Sequence, residues 1–451
     1  MESRKLQEKT RTKRNSKNKK KVKRKSALID NVYYHTDDEE YVWKRHDCHR
    51  STSFPLFSNQ SDDEFIKSKT KERCYHHHKS KSAPADCALY DNVLINTEEP
   101  IQNDGSFPFV SLPVDCKLKI FSYLDHLQKS SLLSVCKSWY RILLHPSLWS
   151  RLSLWNFPMT CLTSQNSHEP TNSCYICYKK RVHLFANFLL WMNPRPKYLE
   201  FKFNIAEASS GYLNMIENLV QNLNLRDLQV VCLNWKETPC RPYWIPPDDI
   251  EAKDTMYRHR LRARYFVSLF DLLTRKAPAI VTIVMPFDWS SRSVKCMSRL
   301  KNVHSLVLEK YYVFQCLSQN LLTELLDSLP NLRRFMLEVW TPSGPGLKLF
   351  SISSSTLEYF DVSQSRGFYI KQMNLPKLKR FRIMRHPWNG PLVDRIDIPC
   401  LYNILVTGAP KLCKLNDHYL KEEWKDSCYS ILDEVLRSVC SCRKHKTGWA
   451  M

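Results

Sequence analysis

Apolar and aromatic side chains are sparse before residue 106 and become dense from there to about residue 440. Residues 1–105 are instead rich in lysine, serine, histidine and acidic side chains, without a helical or strand-like apolar period long enough to bury a face. Chains of this composition do not collapse around a core. The pattern therefore predicts a disordered tail over residues 1–105, a folded region from 106 to 440, and a short tail over 441–451.

The first part of the folded region, residues 106–154, has apolar positions at helical spacing in three successive stretches. The three faces are formed by Leu118, Ile120, Phe121 and Leu124; by Leu127, Leu132, Leu133 and Val135; and by Cys136, Trp139, Tyr140, Leu143 and Leu144. Pro113 and Asp115 suit the first turn of a helix, and Pro146 ends the last one. A unit of about 40 residues is barely stable alone, and three short helices cannot cover this many apolar side chains. The spare apolar surface predicts a bound partner.

Four short blocks occur here in a fixed order: Leu112-Pro113, Ile120-Phe121-x-Tyr123-Leu124, Val135-Cys136-Lys137-x-Trp139 and Leu148-Trp149. In order and spacing they resemble the F-box, and the likeness covers about a tenth of the chain. The resemblance implies a non-catalytic chain that binds the Skp adaptor, which joins a cullin scaffold in a ubiquitin ligase. An ordinary helical hairpin is the alternative. The side chains that would form or support the adaptor contact are Leu112, Pro113, Leu118, Ile120, Phe121, Leu124, Leu132, Val135 and Trp139.

After this stretch, a pattern of apolar-x-x-apolar-x-apolar recurs along the chain. Its middle positions are residues 152, 199, 228, 281, 306, 335, 360, 381 and 404. Most steps between them match the period of leucine-rich repeats, about 20–29 residues, and the two long steps are roughly twice as large. The pattern resembles such repeats loosely, because the Asn or Cys expected after each strand is mostly absent. The resemblance implies an α/β fold in which residues 155–440 form an irregular solenoid with a parallel concave sheet; an ordinary α/β domain is the alternative.

The segments between several of these predicted strands have the amphipathic pattern of helices. They are Arg181–Met192, Tyr212–Leu223, Leu261–Thr274 and Asn320–Leu329. Each is followed by a short turn and then by a predicted strand. A helix, a turn and a strand that recur in this way stack into a right-handed coil whose strands are parallel.

A client of the predicted ligase would bind the residues that flank the middle apolar positions, since these point away from the core. The last repeats are basic there, and Arg334, Arg380 and Arg382 would suit an acidic or phosphorylated segment. Aromatic residues also recur just after the strands, at Trp235, Phe287, Trp289, Tyr311, Tyr312, Trp340 and Trp388. Trp340 and Trp388 are candidate partner anchors. The favoured alternative is that these aromatic residues pack the loops returning to the helices.

The net charge of +23 is concentrated at the start of the chain, since residues 1–26 contain 13 Lys and Arg against two acidic residues. A tail of this kind attracts acidic partners, which makes nuclear import and nucleic-acid binding candidate roles beside plain solvation. A nuclear protein that binds nucleic acid through this tail is therefore the second functional hypothesis. With no secretory signal or membrane span in the pattern, we expect a location in the nucleus, the cytoplasm or both.

The sequence offers little catalytic or cofactor chemistry. Only eight glycines occur in the chain, and no phosphate-binding glycine motif is present. Most of the 17 cysteines are expected to be reduced thiols. Cys174-x-x-Cys177 lacks a second pair, and Cys440-x-Cys442 with His445 lacks a fourth ligand, which a closed zinc site needs. The sequence therefore predicts no catalytic residue, no metal site and no cofactor.

Overall fold

A long, mostly parallel sheet runs through the fold in the computed structural model. The structure describes residues 109–159, 174–207, 210–236, 255–311, 317–341, 348–385, 398–425, 432–442 and 445. The predicted tails, including the basic residues 1–26, lie outside these residues except for 441, 442 and 445. Within the described residues, no helix is long and apolar enough to cross a bilayer.

Three short helices come first, as the apolar pattern predicts. They are α1 (Val114–Ser122), α2 (His126–Leu132) and α3 (Lys137–Leu143), followed by a 3-10 helix over Pro146–Trp149. Asp125 begins α2 with a capping box, because its carboxylate accepts from the N–H of Gln128 while the Gln128 side chain accepts from the N–H of Asp125. Such caps satisfy N–H groups that have no partner inside the helix.

The main sheet has ten strands among the described residues, and their spatial order follows their order in the chain. They are β1 (Arg151–Ser153), β2 (Tyr198–Lys202), β3 (Val230–Asn234), β4 (Thr282–Phe287), β5 (Ser305–Lys310), β6 (Arg334–Leu337), β8 (Tyr359–Asp361), β10 (Arg380–Arg382), β11 (Lys414–Leu415) and β12 (His418–Tyr419). All neighbouring pairs are parallel except β11 with β12. Two further strands, β7 (Leu349–Ser353) and β9 (Tyr369–Asn374), form a separate parallel pair.

A second layer covers one face of this sheet, and its elements also follow chain order. The helices are α4 (Tyr175–Met192), α5 (Tyr212–Asn222), α6 (Thr255–Lys276), α7 (Ser291–Met297), α8 (Gln319–Ser328), α9 (Leu401–Gly408) and α10 (Asp433–Val439). Each helix from α4 to α8 packs against the next, α8 packs on β7, and β9 packs on α9. The β7–β9 pair therefore continues the layer that the helices begin. The four helices predicted from amphipathic spacing are confirmed within a few residues, apart from the longer starts of α4 and α6.

One buried row of side chains runs across the sheet between the two layers. In register it contains Leu152, Leu199, Val231, Ile283, Leu306, Phe335, Phe360, Phe381 and Leu415, and every member is at most 4% exposed. Phe360 stacks between Phe335 and Phe381 at centroid distances of 5.7 and 5.6 Å. Six of the nine predicted middle positions lie in this row.

Three predicted middle positions are wrong. Leu228 and Val281 lie just before β3 and β4. The residues of these strands that lie in the buried row are Val231 and Ile283. The apolar spacing is ambiguous there because Leu225, Leu228 and Val231 offer two frames, and Leu225 and Leu228 are buried in the turn.

The third error is the strand predicted around residue 404, which is helix α9. Leu401, Ile404, Leu405 and Gly408 have the spacing of one helical face, and all four are buried. The last strand of the row comes later, at Lys414–Leu415.

Candidate functional site

The three-helix unit is held together by a cluster of three aromatic rings. Phe109, Phe121 and Trp139 lie 5.3–5.6 Å apart between ring centroids, with tilted or edge-to-face geometry. These are favourable arrangements for aromatic pairs. Phe121 is only 2% exposed. Almost none of its side chain is therefore accessible from outside the unit.

Trp149 joins the unit to the rest of the fold. Its side chain is fully buried, its Nε1 donates to the carbonyl of Leu143 at 2.8 Å, and its ring packs against Phe185 and Phe188 of α4. Directly after it, β1 pairs with β2. The buried side chains of the unit and of the sheet belong to one hydrophobic cluster, so the three helices pack directly onto the rest of the fold.

Exposed apolar side chains are concentrated on the three-helix unit. Of thirteen large apolar residues described as exposed, six lie between residues 110 and 140: Val110, Val114, Ile120, Tyr123, Val135 and Tyr140. Contiguous exposed apolar patches are a feature of interaction surfaces. We call these six residues the apolar surface.

The structure separates the predicted adaptor-contact residues by exposure. Pro113, Ile120 and Val135 are exposed, while Phe121 lies in the core. Leu112, Leu118, Leu124, Leu132 and Trp139 are half-buried. Val110, Val114, Tyr123 and Tyr140 are exposed as well, although they were not among the predicted contact residues. The contact role of every one of these residues stays a prediction.

Two basic side chains of α2, His126 and Lys129, are buried. Lys129 donates to the carbonyl of Leu148 at 2.8 Å, and burial lowers its pKa. The His126 ring packs on Phe157 and Phe185 at centroid distances of 5.1 and 5.2 Å. Burial also lowers the pKa of His126, because a charged ring between apolar neighbours loses its hydration.

We expect the folded chain to lose stability as the pH falls below about 6.5. Burial, helped by nearby Arg262 and Arg258, lowers the pKa of His259 to about 4, and His126 shifts in the same direction. Unfolding restores the higher pKa, so the unfolded chain binds more protons, and stability present above pH 6.5 is lost towards pH 4. Each group contributes at most about 1.4 kcal/mol per pH unit. Melting temperatures measured from pH 7.5 to 5 test this: His126→Phe should weaken the dependence, and the exposed control His418→Gln should not.

The second candidate surface is the open face of the sheet, where the row beside the buried one is basic towards the C-terminal end. Arg334, Tyr359, Arg380 and Lys414 are neighbours in register, and the guanidinium of Arg334 lies 5.0 Å from the centre of the Tyr359 ring. The predicted residues Arg334, Arg380 and Arg382 thus share one face. Lys414 was missed because the last strand was placed at residue 404.

The Asp361 carboxylate interacts with several neighbouring side chains of this face. Its carboxylate accepts from the Tyr359 hydroxyl at 2.9 Å and from the Ser363 hydroxyl at 2.7 Å, and the guanidinium of Arg382 lies 3.9 Å away. Asp361 is buried while Arg382 and Arg380 are exposed. The buried carboxylate offsets part of the charge of Arg382, so Arg380 and Lys414 are the better candidates for binding an acidic group.

The aromatic residues after the strands are mostly packing residues. Trp235, Phe287 and Trp289 are at most 1% exposed, and Tyr311 is buried as well, which confirms the favoured alternative for these four. Trp340 is half-buried, with Lys310 Nζ at 3.5 Å and Arg366 Cζ at 4.2 Å from its ring centre. Tyr312 and Trp388 lie outside the described residues. A client-binding role for Trp340 and Trp388 stays a prediction.

A comparison with known protein families finds a match over the three-helix unit that bears the apolar surface. Residues 109–155 match the family model described as F-box-like. The match covers the aromatic cluster, the three helices, Trp149 and β1, and it ends before the helical layer begins. No curated protein matches the chain. The chain thus contains an F-box-like domain, and its fold is mixed α/β, with helices first and a long, mostly parallel sheet after them.

Proposed function

We propose that this protein is a substrate-recognition subunit of a ubiquitin ligase, which binds the Skp adaptor through its F-box-like domain and, through it, a cullin scaffold. The observation that carries the proposal is the apolar surface, which lies between residues 110 and 140 and therefore within the residues that match the F-box-like family. Such a surface is costly to leave in water, and a protein partner of complementary shape removes that cost. The chain itself acts as an adaptor and supplies no catalytic residue.

The sheet and its second layer support a client-binding role for the rest of the chain. We interpret them as an irregular solenoid that resembles leucine-rich repeats, because strands and covering elements both follow chain order and each strand repeats the same buried position. Arrays of this kind present one extended face to a partner. In this chain the open face carries Arg380, Arg382 and Lys414, which suits an acidic or phosphorylated segment of a client.

Co-purification from cells tests the proposed function. The tagged full chain should retain the Skp adaptor and a cullin, whereas Leu112→Ala/Pro113→Ala should lower their recovery. If the wild-type chain retains neither protein, under conditions where an unrelated F-box protein retains both, the proposal is wrong.

Reversing the charge of the open face should separate client binding from adaptor binding. In Arg380→Glu/Lys414→Glu, we expect recovery of proteasome-sensitive clients to fall by at least about tenfold, because the variant removes two donors of charge-assisted hydrogen bonds, which contribute about 1.5–3 kcal/mol each. Adaptor recovery should stay unchanged. The matched control is Lys295→Glu on α7, an exposed lysine of the helical layer. Equal client recovery in all three proteins would contradict the assignment of this face.

A further inference from the structure

Four potential metal ligands meet at the C-terminal end of the described chain. The ligand atoms of Cys400, Cys440, Cys442 and His445 all lie within 4.8 Å of one another. Cys440, Cys442 and His445 are buried, and Cys400 is half-buried. The Cys442 sulfur lies 3.0 Å from Nδ1 of His445. The sequence alone shows three of these residues close together, and the fold brings the fourth, Cys400, to them.

The donor set and its spacing fit tetrahedral zinc. Zinc binds thiolate at about 2.3 Å and imidazole at about 2.0–2.1 Å, so ligand atoms at the corners of the tetrahedron lie roughly 3.5–3.8 Å apart. A cluster within 4.8 Å needs only small side-chain rotations to reach that geometry. Three soft sulfur donors and one imidazole favour zinc over magnesium or calcium, which prefer oxygen ligands. Since all four corners are occupied by protein, no position remains for substrate, as in structural sites.

Helix ends and hydrogen bonds hold the backbone around the cluster. Cys400 immediately precedes α9, and Cys440 immediately follows α10. The N–H of Leu401 donates to the sulfur of Cys440 at 3.4 Å. Arg385 donates to the carbonyls of Cys440 and His445 at 3.2 and 3.1 Å. Three thiolates and a neutral imidazole leave a zinc centre with one net negative charge, and the Arg385 guanidinium stands where it offsets that charge.

A disulfide explains this cluster less well than a metal does. A disulfide uses two sulfurs at about 2.05 Å, which would leave the third cysteine and the histidine gathered there without a reason. We propose that Cys400, Cys440, Cys442 and His445 bind one structural zinc ion, which fastens α10 to the start of α9 at the end of the sheet. The ion would stabilise a terminal helix of only seven residues, because binding to the folded state alone adds to the free energy of unfolding.

Metal analysis of the full chain, purified without a histidine tag or chelator, tests the proposal. We expect about one zinc per chain, released in proportion to the added thiol-modifying reagent. Cys442→Ser and Cys400→Ser should each lose most of the zinc. The matched control is Cys413→Ser, an exposed thiol outside the cluster, which should keep it. Wild-type protein without zinc, zinc that persists in both cluster variants, or a disulfide between two of these cysteines in the intact mass would each overturn the site.

Cobalt substitution keeps the test decisive if a cluster variant fails to fold. Wild-type chain stripped of metal and reloaded with Co²⁺ should show the visible absorption of tetrahedral cobalt and a thiolate charge-transfer band, and should regain its melting temperature. His445→Cys should keep a tetrahedral spectrum with a stronger thiolate band. A spectrum of octahedral cobalt, or a melting temperature that does not change on stripping and reloading, would contradict a closed structural site.

Discussion

Ile120→Asp combined with Val135→Asp should lower the affinity for the Skp adaptor at least about 100-fold, which corresponds to roughly 3 kcal/mol. Both side chains belong to the apolar surface, at 39% and 57% exposure. A buried interface would have to desolvate two carboxylates without partners, which costs several kcal/mol. The folded chain keeps both positions in water, so its melting temperature should stay close to that of the wild type. Calorimetric titration of each purified chain with the adaptor measures the effect.

A matched control is available on α4. Ile176 and Leu184 are also exposed apolar residues, at 59% and 56%, and they lie outside the residues that match the F-box-like family. Ile176→Asp/Leu184→Asp should bind the adaptor as the wild type does. Equal losses in both double variants would show that added negative charge, and not the apolar surface, is responsible.

The largest loss of stability is expected for Trp149→Ala. Trp149 is fully buried, donates to Leu143 and packs on α4. Removing a buried ring of this size costs about 3–5 kcal/mol, because the transfer free energy is lost and a cavity remains. Since Trp149 joins the three helices to the sheet, the variant should also bind the adaptor more weakly. Chemical denaturation of the two purified chains gives the free energy difference.

Trp155→Ala is the control for that experiment. The chemical change is identical, but the Trp155 side chain is 36% exposed. Substitutions of exposed side chains usually change the free energy of unfolding much less than substitutions of buried ones do. Trp149→Ala should therefore destabilise the chain by several kcal/mol more than Trp155→Ala. Equal losses of stability in the two variants would mean that Trp149 does not stabilise the contact between the three helices and the sheet.

The apolar pattern predicted the presence of helices and strands better than it predicted which residue of each strand lies in the buried row. Amphipathic spacing located the four long helices, and the strand positions around Leu306, Phe335, Phe360 and Phe381 were correct. The errors occurred where one apolar pattern satisfies two structures. Leu225, Leu228 and Val231 offer two strand frames, and residues 401–408 fit both a short strand and a helical face. Backbone pairing decides between them, and it depends on neighbours that are distant in the chain.

The sequence predicted several residues of the candidate sites, but it did not predict which of their side chains are exposed. The sequence marked Phe121 and Ile120 alike, since both belong to one apolar block, and only tertiary packing shows that Phe121 joins the aromatic cluster while Ile120 faces water. The same limit explains the missed ligand Cys400. Its partners Cys440, Cys442 and His445 are close in sequence, but the approach of α9 to α10 brings in the fourth donor.

Amide hydrogen exchange of the full chain, with and without saturating Skp adaptor, tests the central claim most directly. Exchange reports local opening of the backbone, and a bound partner slows it over the surface that it covers. We predict slower exchange over residues 110–140 in the complex, and no change on the open face of the sheet around β6, β8 and β10. An adaptor that leaves exchange over residues 110–140 unchanged, or that protects the sheet face instead, would contradict the account.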